Sequence, residues 1–282
     1  MISLKAHANN IALPHMIFAL PFAFMAALLV THGDPDPWIL FLIAAAVTSA
    51  RSAALALNNL ADLKYDRLQP RMSSRAMVKG EISKSESVGF IILCLATLVL
   101  VVIQLPPVCL KLLPVAVVPF LIYPFTKRFT GWCHLFLGLA ISMAPAGGWI
   151  ASGGWIDLPM ILLCFAVALW IGAFDAIYGA QDRAFDRSQR LHSLATEFGV
   201  EGALKLTRAM HSLSIICFIA VGFLTDVGLL YYVGVLIAAL TLIYQHSIVS
   251  PTDFSRVTQA YFMRNGIVSI AMLIFTWLSL IH

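Results

Sequence analysis

The chain has 282 residues, of which 60% are hydrophobic and only 11% charged, with a net charge of +4. A soluble domain carries roughly 25% charged residues, so this composition excludes an ordinary water-soluble fold, and the small net charge implies no nucleic-acid partner. No stretch between the apolar runs is long enough for a separate soluble unit, so residues 1–282 are expected to form a single integral membrane domain in contact with lipid.

In chain order, the apolar runs predict an all-α polytopic bundle of nine transmembrane helices at residues 11–30, 38–57, 88–105, 112–123, 135–150, 158–179, 213–224, 228–244 and 267–281. The first run follows a single Lys and carries no small-residue cleavage site, so it is expected to stay as a span and not to be removed as a signal peptide. The fourth is short and contains Pro114 and Pro119; it is expected to extend back past Lys111, whose stem can snorkel. The seventh is expected to begin earlier, near Leu204.

Charge placement orients these spans. With the N-terminus inside, the loops around residues 58–87, 124–134, 180–212 and 245–266 lie in the cytoplasm and, with Lys5, hold 16 of the 18 Lys and Arg residues. That asymmetry places the C-terminus on the opposite side, with a bacterial inner membrane as the expected location. The five cysteines form no CxxC pair, and their odd number argues against a disulfide framework. They read as small buried hydrophobes.

Two acidic clusters stand out against this background. Asn58, Asn59, Asp62 and Asp66 follow the second span; Asp175, Tyr178, Asp182 and Asp186 close the sixth. Asp62 to Asp182 and Asp66 to Asp186 are both 120 residues. Each cluster ends an even-numbered span, which suggests two pseudo-repeated four-helix halves plus a ninth helix. Both clusters fall on the cytoplasmic face.

Carboxylates at that depth are costly unless they bind something. On a helix, Asn58, Asp62 and Asp66 share one face, as do Asp175, Asp182 and Asp186. Converging carboxylates repel one another in a low dielectric, and hard divalent cations relieve that repulsion. Mg²⁺ takes oxygen ligands and bridges carboxylates to phosphate, so two facing acidic helices would make a clamp for Mg²⁺ and a diphosphate.

Arg67, Arg71, Arg75 and Lys79 follow the first cluster, Arg183, Arg187 and Arg190 accompany the second, and Lys127 and Arg128 end the fourth span. Arg71 and Arg75 are candidates for bidentate phosphate contacts. Lys79, Lys84, Arg187 and Arg208 read as orientation signals and anionic-lipid contacts. Arg51 precedes Asn58 by seven residues on the same helix face. Its partner is either an aspartate in a structural ion pair or an anionic substrate.

These residues closely resemble the UbiA superfamily of intramembrane aromatic prenyltransferases, over essentially the whole chain. The family's first motif, Asn-Asp-x-x-Asp-x-x-x-Asp then Arg-x-x-x-Arg, is matched by Asn58, Asp62, Asp66, Arg71 and Arg75, with Asn59 where many members have Asp and Ala76 where they have Pro. The second, Asp-x-x-Tyr-x-x-x-Asp-x-x-x-Asp, is matched by Asp175, Tyr178, Asp182 and Asp186, and Tyr-Pro-x-x-Lys-Arg by Tyr123, Pro124, Lys127 and Arg128.

The resemblance implies transfer of a polyprenyl chain from polyprenyl diphosphate to a small aromatic acceptor. Asn58, Asp62, Asp66, Asp182 and Asp186 would hold two Mg²⁺ ions on the diphosphate. Arg71, Arg75 and Lys127 would donate to the same oxygens, and Asp175 would assist phenol deprotonation. Tyr123, Tyr178 or Phe22 would offer an aromatic face to the allylic cation. The 4-hydroxybenzoate branch usually has Lys-Ser-Thr after the second motif, where this chain has His192-Ser193-Leu194. The stretch Pro14-His15-Met16-Ile17-Phe18-Ala19-Leu20-Pro21-Phe22 and the run Arg51-Ser52-Ala53-Ala54 look more like the futalosine menaquinone branch, whose acceptor is 1,4-dihydroxy-6-naphthoate.

Two other classes compete. A secondary transporter also has helical repeats and intramembrane acids, but its site sits near the bilayer midplane, whereas these acids gather at one interface beside arginines. A non-catalytic membrane scaffold leaves the paired acidic spacing unexplained. Nothing in the sequence implies a protein partner.

Overall fold

A computed structural model describes residues 18–281, with side chains described throughout except at residues 258–264. Lys5, the start of the first expected span and the stretch from Pro14 through His15 and Met16 to Ile17 lie outside the described residues.

The described chain is built from helices: α1 (Leu20–Val30), α2 (Pro37–Asp66), α3 (Ala76–Lys79), α4 (Lys84–Val102), α5 (Pro107–Thr126), α6 (Cys133–Ala151), α7 (Leu158–Gly179), α8 (Arg183–Ser188), α9 (Leu194–Leu224), α10 (Leu229–Ser247) and α11 (Val257–Ile281). Seven of the spans are long and apolar enough to cross a membrane, and the shorter apolar helices Leu20–Val30 and Asn265–Ile281 accompany them.

Local signals start these helices where they begin. Asp36 caps α2 through the Trp38 amide at 2.7 Å, with Pro37 in the first turn. Asp157 caps α7 through the Met160 amide at 3.0 Å. Ser83 with Glu86 forms a capping box on α4, and Ser193 with Thr196 forms one on α9. Each supplies acceptors for amides that have no partner inside the helix.

Two expected boundaries move. The second span runs on to Asp66, so the first acidic cluster is the last two turns of a continuous 30-residue helix. The seventh, expected at 213–224 or from about Leu204, reaches back to Leu194 with a break at Gly199, where φ is 72°. Glycine tolerates that left-handed backbone without a Cβ clash. The fourth span does extend past Lys111, back to Pro107.

α6 and α7 run side by side. α9 packs on the other flank of α7, α10 on α11, α4 and α5 on α2, and α1 bridges α6 and α11. Small residues set the closest approaches. A Cβ on Gly138 would sit 2.0 Å from the Ala168 carbonyl oxygen, and one on Gly148 would sit 2.2 Å from that of Ala23. Without water to drive helices together in lipid, such backbone-to-backbone packing is a main source of association. The outward surfaces stay apolar, with Ile92, Leu100, Val115, Phe223 and Ile243 all exposed. In water a patch of that extent would be a liability; against lipid tails it is solvated.

Candidate active site

α2 carries its acids inward: Asp62 and Asp66 are only 4% and 5% exposed. A basic side chain meets each. Lys127, just past the end of α5, donates from Nζ to Asp62 Oδ2 at 2.7 Å. Arg75, from the loop before α3, donates to Asp66 Oδ2. Burial works against the charged form of Lys127, but Asp62, with Asp186 and Asp66 beyond it, more than offsets that and holds the ammonium above the ordinary lysine value.

The second cluster has a different backbone. α7 ends at Gly179, the chain tightens into a 3₁₀ turn over Ala180–Asp182, and α8 restarts at Arg183. The helical face expected from Asp175 to Asp186 is therefore tightened over one short turn. A 3₁₀ turn has three residues per turn, so over three residues it rotates Asp182 by about 60° relative to Asp175 and leaves both on one side of the helix. Asp175 meets His134 of α6, with Nδ1 and Oδ2 2.7 Å apart. Asp182 instead meets the first half of the chain: Gln69 Nε2 donates to its Oδ1 at 2.6 Å, and Arg71 Nη2 donates to its Oδ2.

Arg71 also donates from Nη1 to the Tyr178 hydroxyl at 2.6 Å, and its guanidinium carbon lies 4.8 Å from the centre of that ring. Lys127 stands within electrostatic range of Asp66 and Asp186 together. Two acidic segments 120 residues apart in the sequence thus close on one set of cations. Asn58 sits half-buried one turn before Asp62.

Oxygen donors dominate this site, which suits a hard cation. Asp62 Oδ1 is buried and has no hydrogen-bond partner, an orphaned acceptor that a divalent ion would satisfy. Among the described residues, no three His, Cys, Asp or Glu side chains gather around one point as they stand. Mg²⁺ does not require that, because it is commonly held by one or two carboxylates with phosphate oxygens and water completing the shell. The residues present fit the ion.

Beneath the acids, an apolar cavity of about 290 Å³ is lined by α2, α4, α5 and α6, among them Val47, Leu98, Leu113, Phe120 and Gly147. Arg51 is the charged group on its wall. It is 5% exposed, and its Nε and Nη1 are buried without a hydrogen-bond partner. Asp175 and Tyr123 lie within electrostatic range, but among the described residues no carboxylate forms an ion pair with it. The structural ion pair left open by the sequence is therefore not what occupies this guanidinium.

Other sequence candidates fall elsewhere. Arg128 is exposed and donates to the Ala61 carbonyl at 2.8 Å, with Phe125 and Tyr65 beside its guanidinium, so it braces the ends of α2 and α5. Tyr123 is buried, and its hydroxyl donates to the Ala54 carbonyl at 3.1 Å. Phe22 lies in the core, stacked on Phe218 and tilted against Trp170, so it offers no face to the site. His192 is a loop residue paired with Glu197 at 2.6 Å. The sequence reading missed Gln69 and His134. Gln69 is one polar residue in a polar loop and carried no signal, whereas His134, six residues past Arg128 at the mouth of a span, was visible as a polar residue inside an apolar run.

The profile of the UbiA prenyltransferase family matches residues 19–267. The chain belongs to that family. Its members include a 4-hydroxybenzoate octaprenyltransferase from Nitrosococcus oceani, 30% identical over 255 residues and covering 90% of this chain and 89% of the relative. The solved apo structure of a UbiA homologue from Aeropyrum pernix is 33% identical, superposes with a TM-score of 0.83, and covers 92% of this chain and 95% of that one. A UbiA homologue from Archaeoglobus fulgidus bound to DMAPP and Mg²⁺ shares the fold at a TM-score of 0.74 and 20% identity, over 97% of this chain and 98% of that one. As a UbiA-family protein, the chain is a membrane prenyltransferase, and the site described above is where its matching motifs converge.

Proposed function

We propose that this UbiA-family enzyme transfers a polyprenyl group from polyprenyl diphosphate to the ring of a small phenolic carboxylic acid, in a Mg²⁺-dependent reaction. The observation that carries the reading is the contact of Gln69 and Arg71 with Asp182, which draws two distant acidic motifs onto shared cations. The curated relatives named 4-hydroxybenzoate octaprenyltransferase and the homologue bound to DMAPP and Mg²⁺ support it.

Asn58, Asp62 and Asp66 on one side and Asp182 and Asp186 on the other are the residues that would hold Mg²⁺, with two ions in all. When bound, the metal neutralises charge that builds on the departing diphosphate. Arg71, Arg75 and Lys127, which contact Asp182, Asp66 and Asp62, would donate to the same oxygens, a contribution that acts at the moment charge develops. The cavity below takes the lipid tail and keeps water from the allylic cation. The Tyr123 and Tyr178 rings would offer it cation–π attraction worth about 0.5–2 kcal/mol.

Arg51, with two unpartnered donors at the cavity wall, takes the carboxylate of the acceptor. Asp175 accepts the phenolic proton. 4-Hydroxybenzoate leads as acceptor through the named relatives. 1,4-Dihydroxy-6-naphthoate is the second reading, favoured by His192-Ser193-Leu194 and the run from Arg51 to Ala54. Leu20–Val30 and Asn265–Ile281 complete nine crossings in two four-helix halves plus one helix. The active-site loops and N-terminus face the cytoplasm, and the C-terminus lies on the opposite side.

Purified protein in detergent, given a prenyl diphosphate, Mg²⁺ and each labelled acceptor in turn, tests the reading. Prenylated product without a sealed compartment supports it and separates the acceptors; no product with either acid defeats it and returns the transporter alternative to consideration.

A further inference from the structure

Asp175 differs from Asp62, Asp66 and Asp182 in that its partner is neither an Arg nor a Lys. His134, the second residue of α6, holds it. The imidazole is 6% exposed and lies over Gly179, where a Cβ would come within 3.0 Å of Cε1. Glycine at the end of α7 therefore leaves the groove that the ring fills. His134 Nδ1 stands 2.7 Å from Asp175 Oδ2, while Nε2 is buried with no hydrogen-bond partner. With Nε2 in that position, the ring is held at lowest cost with its proton on Nδ1, pointed at the carboxylate.

The carboxylate itself is less enclosed. The Asp175 side chain is 34% exposed, and its one recorded contact is through Oδ2. One oxygen is anchored and the other, Oδ1, remains open. Arg51, on the cavity wall, is within electrostatic range of the same carboxylate. A guanidinium and a carboxylate oxygen in range of each other are the two groups that would address a flat acceptor with a carboxylate at one end and a hydroxyl at the other.

We propose that His134 is the positioning residue of Asp175: by donating from Nδ1 to Oδ2 it turns Oδ1 toward the ring hydroxyl of the acceptor. The proposal rests on the reading of Asp175 as proton acceptor. In the step it serves, the phenolic proton passes to Oδ1 and its electron pair remains on the ring. A ring carbon bonds to the allylic carbon as the C–O bond to the diphosphate breaks, with that pair leaving on the diphosphate. The hydrogen on the alkylated carbon then passes as a proton to the released diphosphate, its bonding pair restoring the aromatic ring, and Asp175 returns its own proton to the ring oxygen. His134 keeps its proton on Nδ1 throughout. A carboxylate free to rotate about two side-chain torsions would present the same oxygen only part of the time, and such loss of alignment lowers turnover without weakening donor binding.

The test uses purified full-length enzyme at saturating prenyl diphosphate, with acceptor varied. His134→Ala should lower kcat by about 10–100-fold, the cost typical of losing an outer partner of a functional group. The KM for prenyl diphosphate should stay as in the parent, while the melting temperature falls in His134→Ala through the emptied groove. His134→Asn, whose amide nitrogen stands close to the Nδ1 position, should recover most of the loss. In an Asp175→Asn background, His134→Ala should cost nothing further, because the two act as one unit. If His134→Ala does not fold, His134→Leu fills the same groove without a donor and takes its place.

Parental kcat in the donorless variant, or no recovery with Asn in a folded protein, overturns the positioning role while leaving Asp175 as base. Parental kcat in Asp175→Asn defeats the base assignment itself, and His134's role with it.

Discussion

The two acidic clusters share a spacing and differ in almost everything else. Asp62 and Asp66 sit on a straight run of α2, buried, each against one cation. Asp182 and Asp186 sit on a 3₁₀ turn and a six-residue helix, partly open. The cations are also shared unequally. The loop after α2 supplies Arg75 to its own cluster and Gln69 and Arg71 to the other. The arginines of the second half work elsewhere: Arg183 donates to the Ala195 carbonyl at 2.9 Å, and Arg187 is exposed. Two rows of acid at one spacing thus share one set of counter-charges, supplied by the loop after α2 and by the end of α5.

If the two clusters are equal partners in metal binding, Asp62→Ala and Asp182→Ala should each lower kcat by about 10³-fold or more, the several kcal/mol expected of metal-assisted charge stabilisation. A chelator should abolish activity, and added Mg²⁺ should restore it. Initial rates on folded protein decide this, and near-normal turnover in either variant breaks the symmetry.

The next effect separates the cations. Lys127→Ala leaves Asp62 buried and uncompensated, so the unfolding free energy should fall by about 3 kcal/mol along with activity. Asp182 is more open than Asp62, with a side chain 18% against 6% exposed, so Arg71→Ala should change stability by less than about 1 kcal/mol. It should still raise the KM for prenyl diphosphate about tenfold or more, the worth of charge-assisted hydrogen bonds to phosphate. Denaturant titration in detergent beside donor kinetics reads both. A stability loss for Arg71→Ala equal to that for Lys127→Ala would show that the difference in burial between the clusters has no energetic consequence.

Tyr178→Phe removes one hydrogen bond from Arg71 but keeps the ring beneath it, so donor KM should rise only about two- to tenfold. Arg187→Ala should change neither kinetics nor stability beyond about 0.5 kcal/mol, as expected for an exposed side chain away from any named feature. An effect as large as that of Arg71→Ala would mean that the second half contributes its own cations after all.

Much of the site was legible from spacing. Asn58, Asp62 and Asp66 repeat at four residues, and a helix of 3.6 residues per turn keeps such a row on one face wherever the helix goes. Lys127 followed from its place at the end of a span. Phe22 and Arg128 were misplaced for a common reason: an aromatic in an apolar run and a basic residue at a membrane edge look alike whether they face a substrate, a neighbouring helix or lipid. Only packing separates these cases. Gln69 and His134 make single side-chain contacts between elements that are distant in sequence, and no periodicity encodes such contacts.

The sequence alone determined that this is a helical membrane protein with two acidic rows and an excess of positive charge between them. Hydropathy, helical period and charge are local properties, and the bilayer converts them directly into spans. Tertiary structure decided which cation meets which acid, that the backbone tightens at Ala180–Asp182, that Arg51 faces an apolar cavity and among the described residues forms no ion pair, and that His134 fills the groove left by Gly179. Each of these depends on how closely two helices approach, and that distance is set by small residues on both partners at once.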